Sequence, residues 1–155
     1  MERVNDLIYN MNDVANDGQD LAMQMRELIC DQPVVSSLAQ DLASNLSLFG
    51  RSLRELALYL GTPAAPFTST TIKVVEVTLE HAEDLFDQVD EMMYRFEKDP
   101  DRDFIYCFKD TKVLRLSAKL ESSRMTLAVI LQVLQLRALM NLQEYGIVSL
   151  GGEFC

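Results

Sequence analysis

The chain has 155 residues, 48% of them hydrophobic, and a formal net charge of −10 at pH 7. That length suits one domain around a single core, and that apolar share excludes an intrinsically disordered chain. So acidic a surface repels phosphate backbones and anionic lipid, which sets nucleic acid aside as a partner and argues against passive adsorption to membranes.

The charge is uneven: residues 1–98 hold 17 acids against 7 bases, whereas 99–155 hold 7 of each. Cys30, Cys107 and Cys155 are odd in number and show no CxxC spacing, which reads as free thiols in a reducing cytoplasm. Residues 1–20 contain no apolar run of the signal-peptide kind. Asn45-Leu46-Ser47 then reads as an accidental glycosylation sequon inside a helical pattern.

Four segments carry helical periodicity. In the first, Val4, Leu7, Met11, Val14, Gly18, Leu21, Met25 and Leu28 recur at alternating steps of three and four, which puts them on one helix face. Gly18 falls on that stripe, where glycine costs about 1 kcal/mol relative to alanine. It predicts a kink or a close helix crossing, with helix one divisible into two pieces.

The second segment sets out Val35, Leu38, Leu42, Leu46, Phe49, Leu53, Leu56 and Leu60. Pro33 suits its first turn with Asp31 or Gln32 as cap, and Gly61 followed by Pro63 predicts a left-handed C-terminal residue. The third keeps Ile72, Val75, Leu79, Ala82, Phe86, Val89, Met93 and Phe96 in register. Ser69 or Thr70 is its expected cap and Asp99-Pro100 its stop.

Between helices three and four, Phe104, Ile105, Tyr106 and Phe108 are too apolar for a free loop. They predict an aromatic plug over one end of the bundle, in preference to an exposed docking or lipid-contact patch. The fourth helix is expected to start at a capping Asp110 and to close at Gly146.

From Met125 to Leu142, thirteen of eighteen residues are apolar and are spread around the cylinder. One face offers Leu120, Leu127, Leu131 and Leu134; a second offers Val129, Val133, Leu136 and Met140. A helix with two apolar faces is central in its bundle or shared with a second molecule. Gln132, Gln135, Arg137 and Asn141 interrupt the run and argue against an isolated membrane span.

The expected architecture is an all-α antiparallel bundle of four long helices, one domain over residues 1–155 with flexible ends at 1–3 and 147–155. Helices three and four should pair closely. Acids at four-residue steps on helix three would then meet bases on helix four: Glu91 with Arg115, Asp87 with Lys119, and Glu83 with Arg124. Such exposed pairs fix register at ~0.5 kcal/mol each.

No residue pattern announces a reaction. There is no GxxxxGK[ST] to cradle phosphate, no GxSxG elbow and no HExxH. His81, the only histidine, reads as a boundary residue beside Glu80, and the acids of helix three read as a solvated face. Di-metal bundles need Glu-x-x-His motifs on facing helices, and no such pair is present. No catalytic, cofactor-binding or metal-ligating residues are assigned.

Three stretches, in order, resemble a known family. They are LAQDLASNLSLFGRSLRELALYL from Leu38 to Leu60, AEDLFDQVDEMM from Ala82 to Met93, and an aromatic before Cys107-Phe108-Lys109 that leads to LESSRMTL. The set is similar to the HeLo-like domains, fungal N-terminal domains that precede NACHT-type or other STAND modules. The likeness covers about three quarters of the chain, and its weight lies in the order of the stretches, since no single motif is diagnostic. Tyr106 stands where the family commonly has tryptophan and Arg124 where it has lysine. The small-residue-rich apolar opening of related domains, the part implicated in membrane action, is not seen before Glu2.

The resemblance implies a signalling or adaptor module and supplies no catalytic residues. The expected function is a cytoplasmic, non-catalytic interaction module, forming a homo-oligomer (a dimer) or docking on an effector domain of the same polypeptide. The alternative is a membrane-targeting, cell-death-inducing domain.

Overall fold

The computed structural model describes residues 2–31, 37–63, 65–98 and 110–151. Four helices account for nearly all of them: α1 Glu2–Cys30, α2 Ser37–Leu60, α3 Ser69–Lys98 and α4 Asp110–Gly151. The fold is an all-α bundle of four long helices, with no strand among the described residues.

The predicted stripes form its core. Met11, Met25, Leu42, Leu46, Phe49, Leu53 and Leu56 are among the largest fully buried side chains, joined by Met92 from beside the α3 stripe. On α1 the last buried position is Ile29, and Leu28 is only partly covered. α1 is continuous through Gly18 and begins at Glu2.

Helix direction alternates along the chain, but the neighbours are not all antiparallel. α1 and α2 run antiparallel, with Gly18 beside Leu46 and Gly50 beside Ala15. α1 and α3 run parallel, tied by Arg3 to Glu76 at 3.2 Å and, further along, by Gly18 against Phe86. α2 and α4 also run parallel: Asn45 donates to Ser117 at 2.6 Å, and the Tyr59 hydroxyl donates to the Leu134 carbonyl at 3.2 Å. α3 and α4 are antiparallel and the most loosely joined of the adjacent pairs.

The expected close pairing of α3 with α4 is therefore corrected: α4 lies chiefly on α2. α2 and α3 face each other across the core, where Phe49 and Phe86 meet edge to face, centroids 6.0 Å apart at 87°, a favourable aromatic geometry.

The helix ends revise three expectations. Gly61 has no positive φ; α2 instead ends through Gly61 N–H to Ala57 at 3.1 Å and Thr62 N–H to Tyr59 at 3.0 Å. The cap of α3 is Thr68, whose hydroxyl accepts from the Thr71 N–H at 3.2 Å, three positions on as capping geometry requires. Gly146 does not close α4, which continues to Gly151. One glycine weakens a helix by about 1 kcal/mol, which on its own does not terminate a helix this long. Pro33, Asp99-Pro100 and the caps proposed at Gln32 lie outside the described residues.

Two glycines mark close approaches. A Cβ at Gly50 would stand 2.9 Å from the Ala15 carbonyl oxygen, and one at Gly18 would stand 2.9 Å from the tip of the Phe86 ring. The first neighbour is backbone and can yield only if α1 and α2 separate. Gly50→Ala is therefore expected to lose about 1–3 kcal/mol by overpacking, net of helix propensity. Gly18→Ala should lose less, because a ring can shift. Urea unfolding of the two variants checks the order.

Candidate functional surface

α4 is built with two apolar sides and uses one. Val113, Leu116, Leu120, Leu127 and Leu134 are buried in the core, with Ile130 and Leu131 packed on its edge. This agrees with the first face read from the sequence. The second face is open: Val129 is 57% exposed, Val133 43%, Leu136 58% and Met140 54%. Met125, Leu139 and Leu142 around it are exposed as well.

The reason is partly length. α4 has 42 residues against 24 in α2 and 30 in α3. Its last bond to the bundle is the one from Tyr59 to Leu134. Past Leu134 no residue whose side chain is described is buried, and α4 runs on to Gly151 as a rod of about 25 Å at 1.5 Å per residue. By length and composition α4 is apolar enough to cross a membrane, and 11% of the relevant window is buried. The polar interruptions counted against a span in the sequence are thus too few to exclude one on composition.

Beside the open face runs the groove between α3 and α4. Its upper part is lined by Val74 and Thr71 of α3 with Val129, Ile130, Val133 and Arg137 of α4. The middle brings Val77 and Thr78 against Ser122 and Thr126. Val74 and Val77, both exposed, extend the apolar surface onto α3. The sequence reading missed them because both lie off the α3 stripe; as β-branched apolar residues outside the stripe, they carried a usable signal.

Further down, His81, Asp84, Lys119, Ser122 and Ser123 share one stretch of the groove. No hydrogen bond joins His81 to either serine or to Asp84, so the nucleophile–base–orienter link that such residue types permit is not made. Among the described residues no group of His, Cys, Asp and Glu is placed to hold a metal ion.

The charge seam does not form as expected. Among the described residues the ion pairs are Arg3 with Glu76 and Arg95 with Glu91. The antiparallel register is close to the expected one, yet Lys119 shares its groove with Asp84 and not with Asp87. Glu83 lies on the other flank, in the groove between α1 and α3 with Arg3, Asn10 and Glu80. Glu91 is taken by Arg95 within α3, and Arg115 is left exposed. The cause is helical drift: four-residue steps advance 40° beyond a full turn, so such a row does not stay on one flank.

Arg124 follows Leu120 by four and precedes Leu127 by three, so its stem leaves α4 on the core side. The residue is half-buried and its Nε has no acceptor among the described residues. The aromatic residues Phe104, Tyr106 and Phe108 lie outside the described residues. Cys30 is a free, exposed thiol, and Asn45 of the sequon is spent on Ser117 inside α2.

No protein-family model, curated protein or solved structure matches the chain.

On the acidic surface, partial burial first, then the charges of Asp13 and Asp20, push the Asp17 carboxyl above its ordinary value of 3.8. A carboxyl with a raised folded pKa opposes folding once ionised, and that penalty is relieved as pH falls through the raised value. Asp17→Asn should therefore raise the melting temperature slightly at pH 7. The gain should vanish below pH 3.8, where the carboxyl is neutral in both states; thermal melts at the two pH values check it.

Proposed function

We propose that this chain is a non-catalytic helical interaction module that associates with itself through the second face of α4. The single observation that carries this reading is the open stripe Val129, Val133, Leu136 and Met140 on a helix whose other face is already in the core. Contiguous apolar surface of this kind marks interaction sites. The acidic helices α1 and α3 keep the remaining surface soluble. The likeness to HeLo-like domains is in keeping with a cytoplasmic signalling or adaptor role at the start of a larger fungal protein, where an effector domain of the same polypeptide is a further candidate partner.

A second reading is favoured by one observation, the length and apolarity of α4: a membrane-targeting domain in which this helix engages lipid. Liposome flotation separates the two, since self-association alone leaves the protein with the soluble fraction.

Replacing Val133 and Leu136 together by asparagine should convert the oligomer to monomer by light scattering, with the helical circular dichroism retained. These side chains contribute little to the core, so the fold should lose less than about 1 kcal/mol. An oligomer unchanged by the double substitution would remove α4's second face from the interface.

A further inference from the structure

Resting on that reading, we propose that two copies of the chain pair through α4 in antiparallel orientation, centred between Met140 and Asn141, so that Arg137 of each copy faces Glu144 of the other. Val129, Val133, Leu136 and Met140 follow steps of four, three and four, the spacing of a coiled-coil seam. Arg137 follows Val133 by four and Glu144 follows Met140 by four, so both stand on the same flank of that seam, one heptad apart.

They are the only charged residues between Met125 and Gly151. Both are exposed, and neither makes an ion pair among the described residues. Flanking charges set partner and orientation in paired helices. In a parallel pair in register, this flank meets the opposite flank of the partner. Arg137 would then face Gln132, and Glu144 would face Leu139. Neither charge is matched, and like charges lie level across the pair.

Turning one helix around brings the same flank of both copies together. Centring at Met140–Asn141 then matches Arg137 with Glu144 twice, as the symmetry of an isologous dimer requires. The arrangement is also sterically open. With that centre the two α4 helices overlap over residues 130–151, which puts Val133, Leu136 and Met140 of each copy inside the contact and leaves the two bundles at opposite ends.

The test is sedimentation equilibrium at low ionic strength on the full chain and four variants: Arg137→Glu, Glu144→Arg, the double reversal, and Val133→Asn with Leu136→Asn. Each single reversal should weaken the dimer about tenfold, since two attractions become two repulsions. The double reversal should restore the affinity to within about twofold, because an exposed pair contributes nearly the same with its charges exchanged. A dimer lost in the asparagine variant but indifferent to the single reversals, or not rescued by the double, overturns the antiparallel pairing while leaving the α4 face as the interface. A wild-type chain that stays monomeric at every concentration, with or without flotation on phosphatidylcholine vesicles, overturns both.

Discussion

The approach of α1 to α2 sets the frame of this bundle. At Gly50 the two backbones come close enough that a Cβ would meet the Ala15 carbonyl, and at Gly18 the missing Cβ makes room for the Phe86 ring. Gln19 and Ser47 lock the crossing with reciprocal bonds, Gln19 donating to the Ser47 carbonyl at 2.9 Å and the Ser47 hydroxyl donating to Gln19 at 3.1 Å. Phe86, seated against Gly18, meets the edge of Phe49 and thereby fixes α3 diagonal to α2. The remaining quadrant, between α2 and α3, falls to α4. A helix closing a four-helix core needs one apolar side, and α4 supplies it with Val113, Leu116, Leu120, Leu127 and Leu134. Its second side is then left uncovered among the described residues.

What the sequence made legible was whatever depends on periodicity. The stripes through Leu42–Leu60 and Val75–Met93 are nearly the buried list, and the two faces of α4 separate as read. What it hid depends on which helices become neighbours. A row such as Glu83, Asp87 and Glu91 is regular in sequence, but whether it meets α1 or α4 is decided by the rotation of α3 about Phe86. The helix ends show the same limit: Gly61 and Gly146 have the composition of terminators, yet neither takes a left-handed conformation, because local hydrogen bonds at Tyr59 and Ala57 finish α2 and α4 continues through Gly146 to Gly151. The open surface was legible in part. Its α4 residues followed from spacing, whereas Val74 and Val77 joined it only through the loose α3–α4 contact.

Charge and surface are arranged consistently with association through the rod. A net charge of −10 opposes the approach of two copies, and the excess acid lies on the segments before residue 99. The rod beyond Leu134 carries one charge of each sign and extends about 25 Å, several times the Debye length of about 8 Å at physiological ionic strength. Two rods can therefore meet while the acidic bundles stay screened from one another. Contact through α1 or α3 would bring like-charged surfaces together at close range.

Affinity and orientation then come from different terms. Full burial of a Val, Leu or Met side chain is worth about 1.5–3 kcal/mol, and the four second-face residues are about half exposed already, so each retains roughly 1 kcal/mol to gain. In the antiparallel register Val133, Leu136 and Met140 of each copy lie in the contact, and six such side chains would give about 6 kcal/mol, at the low end of an association cost of about 4–15 kcal/mol. The flanking Leu139 and Leu142 would thus be needed for a stable pair. Apolar burial has no direction, and parallel and antiparallel pairs of one helix bury comparable area. Between states so nearly matched, two charge pairs of about 0.5 kcal/mol each are enough to decide which forms, although they are far too weak to hold it together.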